Sequence, residues 1–196
     1  MHRRRLLDNN GVQYTVIDWA KCNGVCSINT GVVPDSSTVS IGTEFKMKTS
    51  SSLPSSGHMI AYSQGAGLQV YTTTVSSQYR IYNQGAWGPV GTNRVVSVET
   101  STTRTLRTLR YNGTYTSQSF TRDFTRDGTD IVLFSTLAKG APCDEIFNYF
   151  NVLVNGVYVR KYVFVKDSNS VIHLLDTLTN TIYSNSGTGY FSEYNS

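Results

Sequence analysis

From Val39 onward the chain alternates, with Val39, Ile41, Phe45 and Met47 on one side and Ser40, Glu44, Lys46 and Lys48 on the other. A period of two over eight or more positions predicts a strand with one buried face. The same reading gives shorter strand-like segments at residues 14–19, 27–33, 58–62, 68–71, 79–82, 95–98, 171–175 and 181–183, separated by Gly, Asn, Ser and Pro. Two Asn-Gly dipeptides mark the tightest reversals. Asn112-Gly113 lies between 108–111 and 114–116, and Asn155-Gly156 lies between 152–154 and a long strand over 157–165. Both central positions of a type I′ turn need positive φ, which Asn and Gly tolerate, so both dipeptides are expected at hairpin tips. Residues 144–150 hold one short helical turn at most. Many short strands at even spacing, with no repeat of 20 to 50 residues, predict an all-β, two-sheet antiparallel jelly-roll sandwich.

Composition agrees. The 196 residues include 13 Tyr, 8 Phe and 16 Gly, and only 15% are charged. That length suits one sandwich domain, expected over residues 13–196, with residues 1–12 as a basic arm or anchor. The N-terminal Met-His-Arg-Arg-Arg-Leu-Leu is followed by Asp8-Asn9-Asn10-Gly11 with no apolar run behind it, so it does not read as a signal peptide. No apolar run reaches membrane-spanning length, and no membrane partner is expected. The net charge is +4. Arg3, Arg4 and Arg5 form one basic cluster and Arg104, Arg107, Arg110, Arg122 and Arg126 another. Asp123, Asp127 and Asp130 cancel much of the second, which argues against nucleic acid as a partner. Cys22, Cys26 and Cys143 form no zinc spacing and cannot all pair, so buried, reduced thiols and no metal or cofactor are expected.

Sequence motifs give little support to catalysis. No alternating acidic motif places two carboxylates across a cleft, as glycoside hydrolysis needs, and Glu44 and Glu99 read as solvent-facing strand positions. There is no Gly-x-Ser-x-Gly, and His2, His58 and His173 have no partner visible in sequence. Cys22 or Cys143 as a nucleophile would need a base that the sequence does not reveal. The chain is therefore expected not to be an enzyme. Asp167 and Asn169, in Asp167-Ser168-Asn169-Ser170, offer oxygen ligands for calcium, and Asx-turn chemistry explains the same residues equally well. Tyr62, Tyr71, Tyr79, Tyr82 and Trp87 crowd the middle of the chain near Gly-rich loops. They are the candidate ligand or partner surface, set against the alternative that they fill the core.

The C-terminal third carries a recognisable pattern. It runs from Val159-Arg160-Lys161-Tyr162-Val163-Phe164-Val165-Lys166-Asp167 through His173-Leu174-Leu175-Asp176 to Thr179-Asn180-Thr181-Ile182-Tyr183 and Ser186-Gly187-Thr188-Gly189-Tyr190-Phe191. This resembles the closing signature of concanavalin A-like (laminin-G-like) jelly-roll modules of gut-bacterial phages and prophages, with His173-Leu174-Leu175 standing where the family has Gly-Leu-Tyr. Ile17-Asp18 and residues 27–38 are similar to the opening of the same modules. The resemblance implies a virion structural or surface-adhesion protein, as in crAss-like phages. A head fibre or capsid decoration subunit is the first expectation, located in the virion after synthesis in the bacterial cytoplasm. Arg3, Arg4 and Arg5 would then anchor on the capsid, and the subunit would form a homo-oligomer, a trimer being one form. The alternative is a carbohydrate-binding adhesion module, on a phage tail or a bacterial surface, whose partner is a host surface glycan. A glycan hydrolase stands third.

Overall fold

The computed structural model describes residues 4–33, 39–46, 58–63, 68–75, 78–83, 86–90, 95–101, 105–111, 114–119, 130–135 and 146–195. The first strands are β1 (Arg5–Leu7), β2 (Gln13–Val16), β3 (Ala20–Asn23), β4 (Ile28–Asn29), β5 (Val39–Lys46) and β6 (His58–Ser63). Then come β7 (Leu68–Val75), β8 (Gln78–Asn83), β9 (Ala86–Val90), β10 (Val95–Ser101), β11 (Thr105–Tyr111) and β12 (Thr114–Ser119). The last are β13 (Val132–Leu133), β14 (Ile146–Val154), β15 (Val157–Lys166), β16 (Ile172–Asp176), β17 (Thr181–Tyr183) and β18 (Tyr190–Glu193). The protein is all-β, built of antiparallel sheets in a two-sheet sandwich.

One sheet runs β1-β2-β15-β14-β5-β10-β11-β12, with β16 and β17 added beside β15, and β3 and β18 beside β14. The other runs β4-β13-β6-β7-β8-β9. The first sheet splits at a definable place. β14 keeps β5 along one side, but on its other side Ile146 and Phe147 pair with β3, whereas β15 takes over from Tyr149. The exchange coincides with a register irregularity between Phe147 and Tyr149. β15 makes the matching change, pairing with β14 up to Val163 and with β2 at Val165 and Lys166. An extra residue bends a strand and ends its pairing, so the irregularity turns β14 away from β15 and opens the gap that β2 and β3 fill.

Both sheets contribute to one core. Ile41, Phe45, Phe147, Phe150, Phe164 and Leu174 of the first sheet are buried in one cluster with Ile28, Ile60, Ala61 and Leu133 of the second. Phe134 lies at the centre, with its ring against those of Phe147, Phe150, Phe164 and Phe191 at centroid distances of 4.8 to 6.2 Å. A smaller cluster of Tyr14, Val165 and Leu175, flanked by Leu6, Val16, Val163 and Ile182, is separate from it. Along β15 and β16 its members alternate with Phe164 and Leu174, so it covers the opposite face of the sheet.

The alternation read from Val39 is matched by burial of Ile41, Thr43 and Phe45. The Asn155-Gly156 reversal is also found, with φ of 51° and 77° and Val154 paired to Val157. β11 and β12 pair with Tyr111 opposite Thr114, while Asn112 and Gly113 themselves lie outside the described residues. Two expectations need correction. Residues 146–150 are strand, because Phe147 and Phe150 are core residues held between β5 and the β3/β15 side. The chain is also tied to the sheet from Arg5, well before residue 13. Asp8 Oδ1 accepts the N–H groups of Asn10 and Val12, and this turn folds β1 back onto β2.

Candidate functional site

The residues that carry the opening and closing signatures meet in space. Cys22 and Cys26 are joined by a disulfide, with Cα atoms 6.0 Å apart, around a loop turned by Gly24 at φ 83°. This corrects the expectation of reduced thiols: the left-handed glycine brings two cysteines four residues apart within disulfide range. Cys143 lies outside the described residues. The C-terminal segment 185–192 closes over this ring. Asn185 Oδ1 accepts the N–H of Ser27, Ser186 donates twice to Ser27 O, and Gly189 N donates to Val25 O. Asn23 Nδ2 donates to Ser192 Oγ, and β18 pairs with β3 from Tyr190 to Glu193. A Cβ at Gly187 would strike Val25 O and come 2.9 Å from Val25 C, and one at Gly189 would strike Asn23 O. Gly187 and Gly189 are therefore the residues that allow backbone to lie on backbone.

Two aspartates hold the rest of the closing signature. Asp176 is fully buried, and its carboxylate accepts from Lys161 N, Leu178 N and Thr179 Oγ1, with Arg160 Nε 3.8 Å away. It builds the turn to Asn180, whose φ is 52°. Asp176→Ala leaves the Lys161 and Leu178 amides without this acceptor, and the expected loss is about 2 kcal/mol in urea unfolding.

Asp167 accepts Asn169 N and Val171 N on Oδ1 and the His173 ring on Oδ2, at 2.9, 2.8 and 3.3 Å. This is the Asx-turn alternative: three donors surround the carboxylate that a cation would need, and the Asn169 contact is through its backbone. Since a carboxylate only accepts, His173 Nε2 donates to Asp167, and Nδ1 is hydrogen-bonded to the Ser184 hydroxyl at 3.1 Å. Ser184, His173 and Asp167 thus form a hydrogen-bonded row that sequence motifs did not reveal. Their positions tie the end of β17 to the 167–171 turn, and Tyr14 packs edge-on to the His173 ring. The row reads as a lock over the smaller apolar cluster. Burial alone would raise the Asp167 carboxyl, but the Val171 amide, the His173 ring and the Asn169 amide outweigh it and hold the group below the ordinary value of 3.8. A carboxyl lowered on folding stabilises above its unfolded pKa, and that stability is lost as pH falls through the folded value. Asp167→Asn should therefore cost stability at pH 6, with the difference from wild type shrinking below pH 4 in urea titrations; a gap independent of pH would contradict it.

Register sorts the candidate aromatics. Ala61 and Ser63 of β6 are buried, and Ala61 belongs to the core, so Tyr62, which is half-buried, occupies the outer face. Opposite residues in paired strands share a face. In the strand register Tyr62 pairs with Gln69, Tyr71 with Tyr82, and Tyr82 with Trp87. The side chains of Tyr71, Tyr79, Tyr82 and Trp87 lie outside the described residues. No family model and no curated protein matches this chain. The basic cluster is far from β7, β8 and β9 in topology: Arg4 and Arg5 are exposed at the β1 edge of the other sheet, and Arg3 lies outside the described residues.

Proposed function

We propose that this protein is a non-enzymatic structural component of a phage particle, a head fibre or capsid decoration subunit displayed on the surface. The observation that carries this reading is the clasp. The residues that resemble phage jelly-roll modules bond one another across the two ends of the chain: Ile17 N–H donates to Phe164 O, Arg160 Nε to Thr30 O, and Ser186 to Ser27 O, beside the Cys22–Cys26 loop. They therefore act together as a closure for the fold, which supports the resemblance. The described carboxylates of Asp8, Asp167 and Asp176 serve turns, and those of Glu44 and Glu193 bond Asn148 and Lys166. A bonded Cys22–Cys26 pair suits a working life outside a reducing cytoplasm. In this reading Arg3, Arg4 and Arg5 face an acidic capsid surface, and the subunit assembles as a homo-oligomer. Mass spectrometry of purified particles tests it: the chain should be present in fixed ratio to the major capsid protein. Its recovery only from lysate outside particles would contradict the proposal.

A second reading, a glycan-binding adhesion module, is favoured by the strand register that pairs Tyr71 with Tyr82 and Tyr82 with Trp87 across β7, β8 and β9.

A further inference from the structure

We infer that the outward face of the β1–β2 hairpin, centred on Arg5 and Leu7, is a rigid docking pad for an acidic protein surface. This rests on the structural reading and adds the docking face and the chemistry of its partner. Strand pairing sorts the hairpin: Leu6 lies opposite Tyr14, Arg5 opposite Thr15 and Leu7 opposite Gln13. Leu6, Tyr14 and Val16 pack in the smaller apolar cluster with Val163, Val165, Leu175 and Ile182. Val163, Leu175 and Ile182 form one cross-strand row of β15, β16 and β17, so the hairpin's inner face closes over that row. Strand parity turns Arg5, Leu7, Gln13 and Thr15 the other way. The tip is latched as well, because Asn9 donates its backbone N–H to Asn180 O and its side-chain amide to Thr179 O, at 3.0 and 2.8 Å.

The outward face is apolar at its centre and basic beside it. Leu7 is 55% exposed. Val12 closes the Asp8 turn, and Leu178 lies in the turn that Asn9 grips; they are 47% and 48% exposed. Arg4 and Arg5 are exposed, and Arg5 Nη1 donates to Gln13 Oε1. Among the described residues neither arginine forms an ion pair. Asp8, the acid next to them in the chain, turns its carboxylate to the Asn10 and Val12 amides and the Tyr14 hydroxyl. Arginine beside exposed apolar side chains is the composition of a protein interface, and a guanidinium pairs bidentately with carboxylates. A phosphate backbone would answer the arginines but would leave Leu7, Val12 and Leu178 without a partner. The fold supplies its own control. The 167–171 turn repeats the 8–12 turn: in each, the Asp N–H donates to the Val carbonyl, and Asp Oδ1 accepts the amides two and four residues on. Val171 is 51% exposed there, but Lys166, placed before Asp167 as Leu7 is before Asp8, is paired with Glu193 at 3.0 Å.

The test counts copies of the full chain retained on purified particles. Arg5→Glu and Leu7→Asp should each lower retention roughly tenfold with an unchanged thermal midpoint, and Val171→Asp should be retained as wild type. A Leu7→Cys chain carrying a photoreactive label should attach to an Asp/Glu-rich segment of another particle protein, beyond what the unsubstituted chain gives under the same treatment. Full retention of both hairpin variants, or equal loss with Val171→Asp, would overturn this docking face while leaving the structural reading in place. Attachment of the label only to nucleic acid or to a second copy of this chain would do the same. Absence of the chain from particles would overturn both.

Discussion

Gly187→Ala is expected to destabilise the protein by about 3 kcal/mol, lowering the thermal midpoint by roughly 10 °C for a chain of this size. The added methyl has nowhere to go. It would fall on Val25 O and lie 2.9 Å from Val25 C and 3.2 Å from Cys26 C, all backbone atoms of a loop closed by the Cys22–Cys26 bond. A side chain can rotate away from an intruding methyl, whereas a disulfide-closed ring of five residues has to move as a unit or let β18 lift from β3. Gly11→Ala makes the matched comparison. That residue has positive φ, at 76°, which Gly187 does not, and nothing lies within 4 Å of the added Cβ, so its cost is limited to backbone strain of about 1 kcal/mol. Equal losses for the two substitutions would show that Gly187 acts through chain flexibility alone.

The largest effect is expected from Phe134→Ala, about 4 kcal/mol. Phe134 is fully buried and joins the layers: its N–H donates to Ile60 O on β6, while its ring meets four phenylalanines of the opposite sheet and its attached strand β18. Three of those contacts, with Phe147, Phe150 and Phe191, are edge-on at 4.8 to 5.1 Å, a geometry that adds to the gain from burial. Its φ of 66° is unusual for a bulky residue, and the position is held because the packed ring outweighs the backbone strain. Alanine would keep most of that strain and lose the ring, so no compensating relief is expected. Chemical denaturation read by circular dichroism measures the loss; a change below about 1 kcal/mol would remove Phe134 from the centre of the core.

Much of the architecture is legible from local pattern. Alternation around Ile41 and Phe45 and the Asn155-Gly156 reversal translate directly into β5 and the β14–β15 hairpin, because strand faces and I′ turns depend on neighbours in sequence. What local pattern conceals is long-range. β1 is missed because three arginines mask the short run Arg5–Leu7, whose pairing depends on the Asp8 turn. Residues 146–150 look ambiguous because the register irregularity after Phe147 interrupts the period of two. The Cys22–Cys26 bond is missed by counting cysteines, since the deciding feature is the backbone at Gly24. The pairing of Tyr71 with Tyr82 and of Tyr82 with Trp87 depends on the register of three strands. The Ser184–His173–Asp167 row likewise depends on β16 lying beside β17, which no motif spacing reveals.

The two ends of the chain are expected to close the sandwich as one cooperative unit. Native-state hydrogen exchange at the amides of Ser27, Ser186 and Gly189 tests this most directly, because each donates across or within the clasp. Exchange of all three with the same free energy as the core amides Ile17 and Phe134 is the predicted result. Exchange of the three at much lower free energy, with the core still protected, would show that the ends open independently and that the closure is dispensable to the fold.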